Sequence, residues 1–260
     1  MTLHLVRLVP EAKHLARLAH LAGLPEHDQG YLFHHALRQA FGGIAPQPFR
    51  VFEPDPDAQD DKPLHLLGYA TADEAALLGA RAEASAEAAA VFPADGIAAK
   101  PLPEAFAAGR TLAFSTRICP IVRTRSSDSG KKRELDAFVH VAAADPDAPK
   151  PDRADIYRDW LRRLLKAGGA ELLDARLASF RLTSLVRRSH ASPNGRTATE
   201  EGRPKRLPGR RPRSAARRPD AVLDGLLRIA EPDRFQQLLA KGIGRHRAFG
   251  FGLLLLRPAG

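Results

Sequence analysis

The chain closes on KGIGRHRAFGFGLLLL, residues 241–256, and this stretch decides how the rest is read. Two Gly-x-Gly pairs, Gly242/Gly244 and Gly250/Gly252, bracket Arg245, His246 and Arg247 just before an apolar run with the character of a strand. Glycine adds backbone freedom to the unfolded chain and weakens strands and helices, so four of them beside a strand require a compensating role. Without Cβ atoms, their backbone N–H groups can approach an anion, and the basic residues between the pairs suit the same ligand. The pattern is not a nucleotide fingerprint. A Walker loop needs Gly-Lys-Ser/Thr, and a Rossmann loop opens a βαβ unit. Because EPDRFQQLLAKG (231–242) has helical periodicity, the glycine stretch lies between a last helix and a last strand, FGFGLLLLRP (249–258).

Working outward, RTLAFSTRICPIVRT (110–124) reads as a strand and RADIYRDWLRRLLKAGG (153–169) as a helix with a glycine stop. ARLASFRLTSLVRR (175–188) and AVLDGLLRIA (221–230) read as a strand pair. The first half follows the same order. TLHLVRLV (2–9) is a strand, PEAKHLARLAHLAG (10–23) and DQGYLFHHALRQAFGG (28–43) are helices, and FRVFEP (49–54) and PLHLLGYA (63–70) are paired strands. Thr71 is the expected N-cap of one helix over 72–92, and GIAAKPLP (96–103) is the closing strand. Strand, helix, strand, strand, helix, strand is the βαββαβ order, so the expectation is an α+β protein of two tandem ferredoxin-like (RRM-like) domains, 1–103 and 104–260.

The 260 residues carry a net charge of +10 and an isoelectric point near 10.2. Residues 181–219 alone hold eleven Arg and one Lys against Glu200 and Glu201, so this segment accounts for the whole excess. Such a concentration faces a polyanion, and arginine suits bidentate contacts to phosphate and guanine. An Arg- and Pro-rich insertion over about 187–219 is therefore expected within the second domain, including Arg187, Arg188, Arg210 and Arg211. A solvated, solubilising loop is the plainer alternative. Cys119 is the single cysteine, which excludes an intramolecular disulfide and a cysteine zinc site. No stretch approaches the ~20 apolar residues of a membrane span, no signal peptide opens the chain, and a soluble cytoplasmic protein is expected.

Three stretches, at both ends and in the middle, resemble one family in that family's order. The C-terminal Gly-h-Gly-x5-Gly-h-Gly loop, with h apolar, is one. YLFHHALRQAFG is similar to a Tyr-x-x-His-x-x-Leu-x-x-Ala/Leu-Phe helix through Tyr31, His34, Leu37, Ala40 and Phe41. GRTLAFSTRICPIVR with GKKREL matches a Gly-Arg-x-Leu-x-Phe-x-x-Arg-x-x-Pro strand and a Gly-Lys-Arg loop through Gly109, Arg110, Leu112, Phe114, Arg117, Pro120, Gly130, Lys131 and Arg133. The resemblance is to the CRISPR-associated endoribonucleases of the CasE type, in the RAMP superfamily, which cut precursor CRISPR RNA within its repeats. It implies a metal-independent cut that leaves a 5′-hydroxyl and a 2′,3′-cyclic phosphate. It also implies a stem-loop repeat RNA as substrate, retention of the mature CRISPR RNA, and other effector-complex proteins as partners.

The residues fit that chemistry. Internal attack on RNA needs a base for the 2′-hydroxyl, an acid for the departing 5′-oxygen and cations for the charge gathering on phosphorus. Tyr31, His34 and Arg38 are spaced i, i+3, i+7 on one helical face, with His35 an alternative to His34. Arg38 departs from the family pattern and is assigned to the reaction on its position alone. Arg117, Arg123, Arg125, Lys131, Lys132 and Arg133 are expected to contact RNA phosphates, as are the glycine turn and its Arg245, His246 and Arg247. No cofactor is expected, and no histidine spacing suggests a metal site. A non-catalytic CRISPR RNA-binding subunit on the same scaffold is the alternative reading. A basic DNA-binding protein fits less well, since no helix-turn-helix or zinc module is visible.

Overall fold

The computed structural model describes residues 2–24, 28–54, 63–125, 132–144, 149, 151–185 and 216–259, with only the backbone at 125, 132, 185 and 216. Lys131, Arg187, Arg188, Arg210 and Arg211 fall outside the described residues, as do the side chains of Arg125 and Lys132. Two four-stranded antiparallel sheets organise the chain. The first contains β1 (His4–Leu8), β2 (Phe49–Phe52), β3 (His65–Ala70) and β4 (Ile97–Pro101), in the order β2-β3-β1-β4. Two helices, α1 (Ala12–Leu21) and α2 (Gln29–Phe41), connect β1 to β2, and α3 (Glu74–Glu83) with α4 (Ala86–Val91) connects β3 to β4. Val6 and Leu8 alternate inward from β1 and meet Phe33, Leu37 and Phe41, which recur at helical spacing on α2.

The second sheet contains β5 (Thr111–Ile118), β8 (Ala170–Leu185), β9 (Ala216–Ile229) and β10 (Leu254–Pro258), in the order β10-β5-β9-β8. Helix α6 (Arg153–Ala167) and helix α7 (Pro232–Lys241) cover it. In each sheet the first strand sits between the third and the fourth, the ferredoxin-like arrangement, so the protein is two tandem ferredoxin-like domains. Phe114, Tyr157, Leu161, Leu223 and Phe235 form the second core, and Leu3 and Tyr69 from the first domain belong to it. The Tyr69 hydroxyl donates to the Leu254 carbonyl at 2.7 Å, and burial pushes its pKa up. The two sheets are thus joined by shared packing as well as by the chain. Among the described residues, no helix is long and apolar enough to cross a membrane.

Several sequence expectations need correction. The strand expected over 110–124 breaks after Ile118, because Pro120 has no N–H to offer a ladder. The chain continues as β6 (Ile121–Arg125), which pairs antiparallel with β7 (Lys132–Asp136) in a separate hairpin. A short helix, α5 (Ala137–Ala142), follows, its first turn capped by the Asp136 carboxylate accepting from Phe138 N at 2.9 Å. The N-cap expected at Thr71 is Asp73, which accepts from Ala76 N at 2.9 Å. The helix that it begins divides at Ala84, and Ser85 caps the second piece, so that Ala88 and Val91 both become fully buried. The β8–β9 ladder runs to Leu185↔Ala216, so residues 216–219, assigned to the insertion from composition, are strand.

Candidate active site and RNA interface

Helix α2 is the element on which the candidate chemistry rests. Its N-cap, Asp28, is 2% exposed and accepts from Tyr31 N at 2.9 Å, which fixes the first turn and the Tyr31 backbone. The buried apolar stripe of α2 turns Tyr31 and His34 along its flank, with Arg38 exposed at the far end. Against this flank lies the glycine turn. Its one helical turn, Arg247–Phe249, presents the Phe249 ring nearly parallel to Tyr31, with centroids 6.1 Å apart, and edge-on to His34 at 5.5 Å. Gly30 makes the approach possible, since a Cβ there would sit 2.5 Å from the Phe249 carbonyl oxygen. Sequence reasoning named neither Gly30 nor Phe249. A glycine inside an otherwise apolar-periodic helix was the available signal.

The other flank of His34 opens into a cavity of about 300 Å³, also lined by Arg38, Gly43, Gln47, Tyr69 and Thr71. His35 is not among its lining residues, so the two neighbouring histidines differ in what they can reach. Burial first, then the charges of Arg38 and His35, hold the His34 pKa below the usual histidine value of 6.5. Its imidazole is therefore neutral at pH 7 and can accept a proton. Arg38, exposed, places its positive charge at the same cavity.

The four glycines answer to backbone geometry. Gly242, Gly244, Gly250 and Gly252 all have positive φ, between 70 and 86°. A Cβ at Gly252 would lie 2.2 Å from the Ile243 oxygen, and one at Gly244 would lie 2.6 Å from the Trp160 ring. The expectation that all four offer their amides to an anion needs correction. Gly242 N donates to Leu238 O at 2.7 Å and Gly252 N to Arg117 O at 2.7 Å, so both donors are already used in closing the turn.

Several of the cations expected to face RNA are also engaged. The Arg117 guanidinium, only 12% exposed, donates two hydrogen bonds of 2.7 Å to Asp220 and lies over Phe251. It joins β5, β9 and the end of the glycine turn, so two of its nitrogens are engaged within the protein. Arg247 donates to the Lys241 carbonyl at 2.6 Å and so caps α7. Arg245 and His246 both turn toward Glu134, at 3.0 and 3.5 Å. Arg123, half exposed, and Arg133, exposed, remain on the β6–β7 hairpin surface.

Between the domains, Arg50, Arg117, Arg181, Asp220 and Gln29 line a second cavity of about 280 Å³. Burial alone would raise the Asp220 carboxyl, but the hydrogen bonds and charges of Arg117 and Arg181 outweigh it and hold the pKa below 3.8. Cys119 is buried, and its thiol is pushed up to about 12, so it is unreactive at neutral pH. Among the described residues, no three His, Cys, Asp or Glu side chains group as a metal ion would need.

A family model described as CRISPR associated protein matches residues 3–258. Among solved structures, Thermus thermophilus Cse3 bound to an RNA representing a pre-cleavage complex is similar over 99% of this chain and 100% of its own, with 18% identity and a TM-score of 0.60. Cas6e from Escherichia coli str. K-12 is similar over the full length of both chains, with 18% identity and a TM-score of 0.55. A chain of a CRISPR RNA-guided surveillance complex, in a pre-nicking state, is 16% identical over 98% of this chain, with a TM-score of 0.53. At these identities the likeness is one of fold. Compared with curated proteins by sequence, the chain has no match.

Proposed function

The chain belongs to the CRISPR-associated protein family, and from that premise we propose that it is an endoribonuclease that cuts precursor CRISPR RNA within its repeats. One observation carries the reading. The glycine turn and the Tyr31–His34 helix, more than 200 residues apart in sequence, meet at Phe249. The alignment of fold with Cse3, whose structure holds an RNA representing a pre-cleavage complex, supports the same assignment.

In this reading, His34 accepts the proton of the 2′-hydroxyl and the 2′-oxygen forms a bond to phosphorus. The bond to the 5′-oxygen breaks, and that oxygen leaves with a proton from an acid, for which His35 and Tyr31 are the candidates. Arg38 offsets the charge on the phosphoryl oxygens. The products are a 2′,3′-cyclic phosphate and a 5′-hydroxyl, and the proton balance requires no metal. Arg123 and Arg133 on the β6–β7 hairpin, with the Arg-rich segment that β8 and β9 lead into, grip the stem through its phosphates. The mature CRISPR RNA stays bound, and the protein serves as a subunit of an effector complex.

The test uses a repeat hairpin RNA in EDTA, beside the same RNA with a 2′-deoxy sugar at the scissile position. Scission of the first RNA alone, with cyclic-phosphate ends, is the expected result. His34→Ala abolishes scission and leaves binding within about threefold of the parent protein, a shift worth under ~1 kcal/mol. Tight binding with no scission by the parent protein would replace this reading with that of a non-catalytic RNA-binding subunit.

A further inference from the structure

Glu134 lies on β7 with its side chain only 7% exposed, and basic groups from three other elements converge on it. Arg123 of β6, its cross-strand neighbour, is 3.9 Å away. Arg218 of β9 brings Nη2 to 3.2 Å from the carboxylate, and its Nη1 donates to the Glu134 carbonyl at 2.8 Å. From the glycine turn come Arg245 at 3.0 Å and His246, 5% exposed, at 3.5 Å.

Two further features join this cluster to the candidate catalytic helix. His246 has φ of 60°, the one positive φ on a non-glycine residue among those described. The strained backbone at His246 persists only where surrounding contacts over-determine it. Its carbonyl accepts from Phe249 N at 2.8 Å, which places the ring that packs edge-on to His34. The path from Glu134 through His246 and Phe249 to His34 thus consists of successive direct contacts. On the far side, Arg218 stands two residues into β9, which follows the Arg-rich segment in the sequence.

We propose that Glu134 is a positioning residue that clamps the glycine turn against α2 and ties both to the root of the Arg-rich segment. This rests on the reading of His34 as the proton-transferring group, and extends it to a residue that never touches RNA. A buried carboxylate shared by several cations is a poor source of net stability but a good source of unique geometry. With the charge removed, Arg218 and Arg245 repel one another across a partly desolvated site. The turn then relaxes, Phe249 leaves the edge of His34, and water reaches the imidazole.

The variant to make is Glu134→Gln, similar in shape and neutral. Histidine NMR follows the titration of His34, which is faced by Tyr31, His35 and Arg38 on its own helix and by Phe249 across from it, with His246 in contact with that ring. Simple loss of a distant negative charge moves the His34 pKa down, whereas loss of the covering ring moves it up. An upward shift supports the clamp, and an unchanged or lower value overturns it. This readout stands whether or not the protein cuts RNA, so it separates failure of the clamp from failure of the proposed function.

With a repeat hairpin RNA, the expected result is a single-turnover rate reduced about 10- to 100-fold, with Kd changed by less than about threefold. Loss of binding alone, at full rate when saturated, overturns the clamp. Arg245→Met removes one tie and leaves Glu134 paired with Arg218. In the single-turnover assay it gives the same direction with a smaller effect, and that rate decides the matter if Glu134→Gln does not fold, since loss of a positive charge by itself raises the His34 pKa.

Discussion

Replacing Asp220 by alanine removes the carboxylate that holds Arg117 by two 2.7 Å hydrogen bonds. Asp220 is 3% exposed and Arg117 12%, so the variant strands a guanidinium in a site with little water to solvate it. Breaking a buried pair from one side costs about 3–5 kcal/mol, most of it the penalty of the abandoned charge. Arg181, the other partner of Asp220, is 61% exposed and adds at most about 1 kcal/mol. For a chain of this size, about 2–4 °C is lost per kcal/mol, so melting is expected roughly 6–20 °C below the parent protein.

The same reasoning makes a second demand. Asp220→Leu combined with Arg117→Met removes both charges of the buried pair, leaving the largely exposed Arg181 to solvent, and is expected to recover most of the loss. Calorimetry of the parent, single and double variants in ~0.15 M salt, where screening of buried pairs is weak, measures all three. A single variant melting within about 2 °C of the parent refutes the assignment of Arg117 to the scaffold, on the scale just given. A double variant no better than the single one does so equally. The pH dependence has a fixed sign. Because the folded pKa lies below 3.8, the contribution of Asp220 is whole above that value and is lost as pH falls through the folded pKa.

Gly252→Ala places a Cβ against the Ile243 oxygen at a φ of 79°, and a loss exceeding ~2 kcal/mol is expected from left-handed strain and clash together. Gly43→Ala, where nothing lies within 4 Å, is the control; equal urea midpoints for the two refute the geometric account of the turn. Since burial and the charges of Arg38 and His35 hold the His34 pKa below 6.5, the pH–rate profile of the proposed scission is expected to stay level at pH values where an ordinary histidine base is protonated. Arg38→Gln removes a charge that disfavours protonation, so the acidic limb of the pH–rate profile shifts upward; a downward shift refutes this. Deleting residues 191–215, which leaves the β8–β9 ladder intact, is expected to weaken repeat-RNA binding and flatten its salt dependence in a titration across several salt concentrations. An unchanged slope removes the segment from the interface.

The order of elements was legible from the sequence because period-2 and period-3.6 patterns are local properties of the chain. TLHLVRLV and DQGYLFHHALRQAFGG became β1 and α2 nearly as read. So was the Tyr31–His34–Arg38 flank, since helical spacing alone puts those side chains on one side. Pro120 did signal the break between β5 and β6, but the run TLAFSTRICPIVR is apolar enough on both sides of it to be read through. Helix α5 was missed because six residues carry less than two turns of periodicity.

Partnership between charges was a different matter. A basic residue reads the same in sequence whether it faces solvent or a buried carboxylate, so the sequence shows no carboxylate partner for Arg117 or Arg245. Their actual neighbours, Asp220 and Glu134, lie about a hundred residues away and arrive through the register of β5 with β9 and the return of the glycine turn to the β6–β7 hairpin. By itself the sequence determined the two βαββαβ units, the concentration of positive charge and the helix that carries the histidines, because each follows from residues near one another along the chain. Only the tertiary structure decided which cations hold the scaffold and which stay exposed. It also brought Phe249 to His34, for desolvation and contact depend on neighbours that strand pairing supplies.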